Sequence, residues 1–163
     1  MNRQSRTSLQ LTQGAAIAAI YVVLTMVFAP ISFGAMQVRV AEALTIMPLF
    51  TPMAIPGLTI GCVLANLLGG TVALDVVFGS LATLIGAVGG WLLRKNRWLV
   101  PIPAIVANTV IVPLVLKYGY GVDLPLLLSA VYIFVGEVLG CYVLGEILAT
   151  ALIKQKSIFP RNH

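Results

Sequence analysis

Two glutamates stand out in this sequence because apolar residues surround both of them. Only five residues are acidic: Glu42, Asp75, Asp123, Glu137 and Glu146. Glu137 lies inside the apolar stretch 124–153 and has no basic residue within four positions. Glu42 lies in a second apolar stretch, 38–50, three residues after Arg39. An ionisable group inside a membrane is costly and is by default a functional candidate, so we expect both carboxylates to bind a polar or cationic ligand.

Two further groups of residues could complete such a site. The polar candidates lie within or at the ends of apolar stretches: Arg39, Asn66, Asp75 and Asn108. The aromatic candidates could stack on a planar ligand: Phe78, Tyr132 and Phe134, together with Tyr21 and Phe33.

Structural roles compete with these interpretations. Arg39 and Glu42 are three residues apart and could pair on one face of a helix. Asp75 follows a loop and could cap a helix. Asn66 and Asn108 could form hydrogen bonds between helices. The alternatives are weakest for Glu137, since no basic residue lies near its depth.

The sequence offers little support for catalysis or metal binding. Cys62 and Cys141 both lie in apolar stretches, so we expect buried free thiols rather than a disulfide. His163 is the only histidine and is the last residue. We therefore predict no enzyme activity, no cofactor and no metal site. No phosphate-binding motif of the type Gly-x-x-x-x-Gly-Lys-Ser/Thr occurs, so ATP hydrolysis would depend on a partner.

Composition places the site in a membrane. Hydrophobic residues make up 60% of the 163 residues and charged residues 9%, against about a quarter charged in soluble domains. A membrane span needs ~20 mainly apolar residues. Six stretches approach this, although the second is short: 14–29, 38–50, 53–68, 74–93, 99–116 and 124–153. We predict one all-α domain over residues 1–163, a polytopic bundle of six transmembrane helices.

The basic residues predict the orientation of that bundle. Eight of the ten lie before the first stretch, after the fourth or in the tail: Arg3, Arg6, Arg94, Lys95, Arg97, Lys154, Lys156 and Arg161. Basic residues concentrate on the cytoplasmic side, so we expect both termini there, in a multi-pass protein of the inner cell membrane. The net charge of +5 does not indicate nucleic-acid binding, because it lies at the ends of the spans.

On this topology most polar candidates lie in the outer half of the bundle. Such a one-sided distribution favours a pocket that opens outward over a pore, which would be polar throughout. Arg39 and Lys117 are exceptions to the charge rule and need local partners. Glu146 lies nearer the cytoplasm, where pairing with a lysine of the tail would make it structural.

Small residues recur at four-residue spacing, which lets helices approach closely. Packing within the bundle explains most of these pairs. Ala15 and Ala19 differ because they belong to a smooth run, Ala-Ala-Ile-Ala-Ala, near the cytoplasmic end of the first helix. We predict that this face docks against a partner.

Six segments of the sequence form a distinctive set: 29–34 (APISFG), 37–45 (QVRVAEALT), 48–52 (PLFTP), 55–58 (IPGL), 66–70 (NLLGG) and 74–84 (LDVVFGSLATL). Together they resemble the QueT family, the queuosine-precursor transporters. The resemblance covers nearly the whole chain, and the fifth and sixth helices match more loosely. These transporters are similar to the substrate-binding S components of energy-coupling factor (ECF) transporters.

The resemblance implies a six-helix subunit with an outward-facing pocket for a 7-deazaguanine base. It implies two kinds of partner, a transmembrane T component and two ABC-type ATPases, and a role for Ala15 and Ala19 in docking the T component. A carboxylate matches two adjacent N–H donors of such a base, and a second would match an aminomethyl cation. Glu42 and Glu137 are the candidates for these roles, in either order. Asn66, Asn108 or Arg39 could serve the carbonyl, and residues 31–37 could form an outer lid.

Other functions stay open. The chain could be an S component for another vitamin-like molecule, neutral or cationic, since paired carboxylates disfavour an anion. It could also be a structural membrane subunit with no ligand, which would leave Glu137 unexplained. An intramembrane enzyme is disfavoured, because no nucleophile and base occur together.

Overall fold

The structure, a computed structural model, describes residues 3–32 and 39–154, with side chains from residue 7 onward. Its main helices are α1 (Arg3–Val27), α2 (Val40–Leu49), α3 (Ala54–Leu68), α4 (Asp75–Leu92), α5 (Ile102–Gly119) and α6 (Leu126–Lys154). Short helical turns occur at Ala29–Ser32 and Arg97–Leu99. The described ranges contain no strand, which confirms the all-α prediction.

Three segments within the main helices depart from α-helical geometry. α2 is a 3₁₀ helix of 10 residues with Pro48 inside it. α4 begins with a π-helical turn at Asp75–Gly79, and α6 contains a longer π-helical segment at Val138–Leu144. Such irregular turns often occur at functional sites. The first two contain Glu42 and Asp75, and the third directly follows Glu137.

Four helical segments are long and apolar enough to cross a membrane: Thr7–Val27, Asp75–Leu92, Arg97–Gly119 and Leu126–Lys154. α2 and α3 are apolar but shorter, with 10 and 15 residues. Because a 3₁₀ helix rises about 2.0 Å per residue, α2 extends about 20 Å, further than an α-helix of equal length. The predicted count of six spans depends on these two helices and stays a prediction.

α1 and α3 run parallel along a seam of small residues. Gly57 lies against Gly14, and Gly61 lies four residues further along against Ala18 and Tyr21. A Cβ atom on Gly57 would lie 2.7 Å from the Gly14 carbonyl oxygen, so glycine is required for this approach. The prediction that such pairs serve internal packing is confirmed here.

Glycines also bring together the other helices. Gly86 of α4 contacts Ala104 of α5, and the two helices are antiparallel. Gly140 of α6 lies against the Arg39 carbonyl at the beginning of α2, and Gly145 lies one turn further against Ala43. α6 therefore approaches α2 closely enough to bring their carboxylates together.

The two ends of the bundle differ in character. At one end, which we call the basic end, Thr51 donates a 3.0 Å hydrogen bond to Gln13 Oε1, and Arg97 forms an ion pair of 2.7 Å with Glu146. Glu146 is thus paired with the loop after α4 rather than with Lys154. At the opposite end, Tyr120 follows α5 and contacts Asp75.

Candidate functional site

Six of the polar residues selected from the sequence are buried within the bundle. Their exposed fractions lie between 0 and 6%: Arg39, Glu42, Asn66, Asp75, Asn108 and Glu137. They form two adjoining groups. The dicarboxylate site contains Glu42, Glu137, Asn108, Cys141 and Tyr21, and the arginine site contains Arg39, Asp75, Asn66 and Cys62. The two sites adjoin at the start of α2, which carries both Arg39 and Glu42.

The dicarboxylate site has hydrogen-bond donors at both carboxylates. Tyr21 donates from its hydroxyl to Glu42 Oε1 at 2.5 Å, and Asn108 Nδ2 donates to Glu137 Oε2 at 3.1 Å. The Cys141 thiol lies between them, 3.0 Å from Glu137 Oε2 and 3.9 Å from Glu42 Oε2. A carboxylate oxygen of Glu42, a carboxylate oxygen of Glu137 and the sulfur of Cys141 all lie within 4.8 Å of one another. Two carboxylates at this spacing can accept hydrogen bonds from one ligand that carries several N–H groups or a cation.

Local backbone geometry aims these side chains inward. Glu42 lies in the first turn of the 3₁₀ helix. Glu137 is the residue before the π-helical segment of α6, and Cys141 lies inside that segment. A Cβ atom at Gly140 would lie 2.9 Å from the Arg39 carbonyl oxygen, so the glycine allows Glu137 and Cys141 to come close to Glu42.

The arginine site explains why a cation lies away from the basic end. Arg39 Nη2 lies 3.7 Å from Asp75 Oδ2, and Nη1 lies 3.9 Å from the Cys62 sulfur. Asn66 Nδ2 donates to the Asp75 carbonyl oxygen at 3.2 Å. A buried charge requires a partner of opposite sign, and Asp75 provides it. The expectation of a local partner for Arg39 is confirmed.

Tyr120 covers the arginine site from the loop after α5. Its hydroxyl donates to Asp75 Oδ2 at 2.8 Å. Partial burial, together with this hydrogen bond and the charge of Asp75, raises the pKa of Tyr120 to about 12. The hydroxyl therefore remains protonated, and remains a donor, throughout the neutral pH range.

The aromatic candidates do not join the buried cluster as a group. Phe78 is 43% exposed and Phe134 is 50% exposed, so both lie at the surface of the bundle, and their stacking role stays a prediction. Ile133, four residues before Glu137, lies on the buried face of α6 instead. Tyr132 is half-buried. Phe33 and most of the predicted lid, 33–37, lie outside the described residues.

Both cysteines are buried and free, as predicted, but the sequence analysis missed their place in the site. Cys141 follows Glu137 by four residues, and Cys62 precedes Asn66 by four. This spacing places each thiol on the same helical face as a candidate residue, a signal that the sequence already contained. Tyr21 was considered only as a stacking ring, whereas its hydroxyl donates to Glu42.

Ala15 and Ala19 are exposed on the outward face of α1. They line a groove of about 670 Å³ between α1 and α3 whose other walls include Met53 and Pro56. This face is thus accessible and apolar, and its residues are small at Ala15 and Ala19. Docking of a partner there stays a prediction.

A family model described as "QueT transporter" matches residues 11–154. The Queuosine precursor transporter QueT of Lactococcus lactis subsp. cremoris (strain MG1363) is 42% identical over 73 residues, which cover 44% of this chain and 43% of that protein. The match therefore spans less than half the length of this curated relative. No solved structure matches the chain.

Proposed function

The chain belongs to the QueT transporter family, and from this premise we propose that it captures a queuosine precursor of the 7-deazaguanine type as the substrate-specific subunit of an ECF-type transporter. The observation that carries this proposal is the convergence of Glu42 and Glu137 in the buried dicarboxylate site. The chain is a multi-pass membrane protein, and the function of its family is transport rather than catalysis.

The charges of the site favour a ligand that carries a cation. The dicarboxylate and arginine sites together contain three carboxylates, of Glu42, Asp75 and Glu137, against the single guanidinium of Arg39. An aminomethyl cation on the base would pair with one of these carboxyl groups and stabilise its ionised form. An anionic ligand would be repelled by an ionised carboxylate and is disfavoured.

Hydrogen-bond acceptors in the arginine site support the same ligand class. Asn66 Oδ1 and Asp75 Oδ1 are buried and have no hydrogen-bond partner among the described residues. Buried polar atoms normally have partners, and N–H groups of a ligand would supply them. The amide N–H groups of Asn66 and Asn108, or Arg39, would serve a ligand carbonyl.

Titration of the purified protein with deazaguanine bases tests the proposal. Each of the substitutions Glu42→Gln and Glu137→Gln should weaken binding about 10–100-fold, because a hydrogen bond to a charged group contributes about 1.5–3 kcal/mol. Asp123→Asn is the matched control, since this carboxylate is exposed and should leave the Kd unchanged.

Comparing the affinities of two bases, with and without an aminomethyl group, would show which carboxylate binds that group. The substitution that removes the partner of the aminomethyl group should abolish the preference for the aminomethyl base over one that lacks this group. Wild-type affinity in both glutamine variants would refute the carboxylate site. If another vitamin-like molecule bound saturably instead, the chain would be an S component with a different ligand. If no molecule bound saturably, a structural subunit would be favoured.

Partner binding is a separate part of the proposal. We expect a T component to dock on the Ala15 and Ala19 face, and two ABC-type ATPases to supply energy. Joint substitution of Ala15→Trp and Ala19→Trp should prevent co-purification with the T component and leave ligand binding intact. Val110→Trp places the same bulk on an exposed position of α5 and should have no effect on either. Survival of the complex in the double variant would rule out this docking face.

A further inference from the structure

A further polar site lies at the basic end, away from the dicarboxylate and arginine sites. A groove of about 500 Å³ runs between the Arg97–Leu99 turn and the last turns of α6. Its walls include Arg97, Trp98, Glu146, Ile147, Thr150 and Lys154. The proposed transport function uses none of these residues.

Arg97 makes several contacts in this groove. Its Nε and Nη2 atoms lie 2.9 and 2.7 Å from Glu146 Oε2, and Nη2 donates to Thr150 Oγ1 at 3.0 Å. Its guanidinium also lies over the ring of Trp98, 4.6 Å from the centroid. These contacts fix a cation at the wall of the groove before any ligand arrives.

Glu146 leaves one acceptor unused. Both contacts with Arg97 are made to Oε2, while Oε1 is buried and has no hydrogen-bond partner among the described residues. The residue as a whole is only 8% exposed. A buried carboxylate oxygen without a donor is costly, so a hydroxyl or N–H group of a ligand fits at this point.

The rest of the groove combines a cation with apolar walls. Lys154 follows Thr150 by one helical turn and is exposed. Ile147 is 62% exposed and Trp98 is 51% exposed. Tryptophan is typical of the membrane–water interface, and basic pockets at the ends of spans bind anionic headgroups.

We propose that this groove binds the headgroup of an anionic phospholipid that carries hydroxyl groups, of which phosphatidylglycerol is the simplest. Lys154 and Arg97 hold the phosphate, and Glu146 Oε1 accepts a hydrogen bond from a headgroup hydroxyl. Ile147 and Trp98 contact the glycerol backbone and the first part of the acyl chains. A headgroup that offers only anionic oxygens lacks the donor for Glu146.

Short-chain lipids titrated against the purified full chain in detergent test this assignment. Dioctanoyl phosphatidylglycerol should bind at least tenfold more tightly than dioctanoyl phosphatidylcholine. Lys154→Gln should weaken phosphatidylglycerol binding about fivefold, since one lysine near a charged lipid contributes a factor of this size. Lys117→Gln, at the opposite end of the bundle, is the control and should have no effect.

A third lipid tests the role of Glu146. Dioctanoyl phosphatidic acid has no headgroup hydroxyl and should bind more weakly than phosphatidylglycerol, despite its larger charge. Glu146→Gln should reduce this difference between the two lipids. Lys154 is exposed, so its variant remains informative even where Glu146→Gln disturbs the fold.

Three results would overturn the proposal. They are equal binding of phosphatidylglycerol and phosphatidylcholine, equal losses in the Lys154 and Lys117 variants, and full competition by inorganic phosphate, which would indicate a soluble anion as the ligand. None of these measurements depends on transport or on a deazaguanine base, so the site is tested independently of the proposed function.

Discussion

Cys141 occupies the space between the two central carboxylates, so its replacement reports on how they are held. The thiol lies 3.0 Å from Glu137 Oε2 and 3.9 Å from Glu42 Oε2. Cys141→Ser keeps a donor and should preserve ligand binding within about threefold. Cys141→Ala removes the donor and should weaken binding about fivefold, as a modest hydrogen bond contributes about 1 kcal/mol. The measurement is the Kd of each variant, and equal affinity of the alanine variant and the wild type would contradict this role.

Tyr21 links α1 to the dicarboxylate site. Its side chain is fully buried, and its hydroxyl donates to Glu42 Oε1. Tyr21→Phe leaves that oxygen without its donor, which should lower the free energy of unfolding by about 1–3 kcal/mol and weaken ligand binding. Thermal unfolding and ligand titration in detergent measure the two effects.

Tyr132→Phe is the matched control for Tyr21, because Tyr132 is only half-buried and its ring would remain available for stacking. This variant should unfold and bind like the wild type. A loss of similar size in both variants would show that the Tyr21 hydroxyl has no special role.

At the scale of elements, the close seam between α1 and α3 positions Tyr21. A Cβ atom at Gly61 would lie 2.9 Å from the Tyr21 Cβ and 3.1 Å from the Ala18 Cα. Gly61→Val should therefore push the helices apart, with a loss of stability of about 1–3 kcal/mol from overpacking. Ligand binding should weaken as well, because Tyr21 moves with α1.

Ala19→Val adds bulk at an exposed position of α1 beside the seam and is the control for Gly61. The midpoint of thermal unfolding should fall in the Gly61 variant and stay near the wild-type value in the Ala19 variant. Equal midpoints would mean that the seam tolerates a larger residue by local adjustment.

Helix positions were predictable because hydrophobicity ends where the chain leaves the apolar environment. The stretches 53–68 and 74–93 correspond closely to α3 (Ala54–Leu68) and α4 (Asp75–Leu92). α1 begins much earlier than its apolar stretch, at Arg3, since polar residues continue the same helix. Apolar content marks the buried length of a helix and not its polar ends.

The type of helix was not predictable from the same pattern. Within the stretch 38–50, residues Val40–Leu49 form a 3₁₀ helix, and Asp75 and Cys141 lie in π-helical turns. These segments make close contacts with other helices, such as Gly140 against the Arg39 carbonyl, and such contacts are not visible in a hydrophobicity pattern. Pairs such as Tyr21 with Glu42 depend on which helices are neighbours, and so does the exposure of Phe78 and Phe134. The carboxylates could be selected from residue type alone, because an ionisable residue is rare within an apolar stretch.

At the scale of the whole molecule, the basic end and the arginine site lie at different positions along the bundle. Arg97 and Glu146 form the ion pair at one end, while Tyr120 and Asp75 lie at the other. Cytoplasmic enrichment of basic residues would place the basic end inside the cell. The site would then face the exterior, as capture of an external ligand requires.

Labelling of single cysteines on intact cells tests this orientation. In a background with Cys62→Ala and Cys141→Ser, an impermeant thiol reagent should label Asp123→Cys and leave Asn96→Cys unlabelled, since only α5 separates these positions. Ser8→Cys should match Asn96→Cys, because α1 to α4 separate them and four crossings return the chain to the same side. Opposite labelling of Ser8→Cys and Asn96→Cys would mean that an odd number of helices crosses between them, so that one of the two short helices, α2 or α3, does not span the membrane.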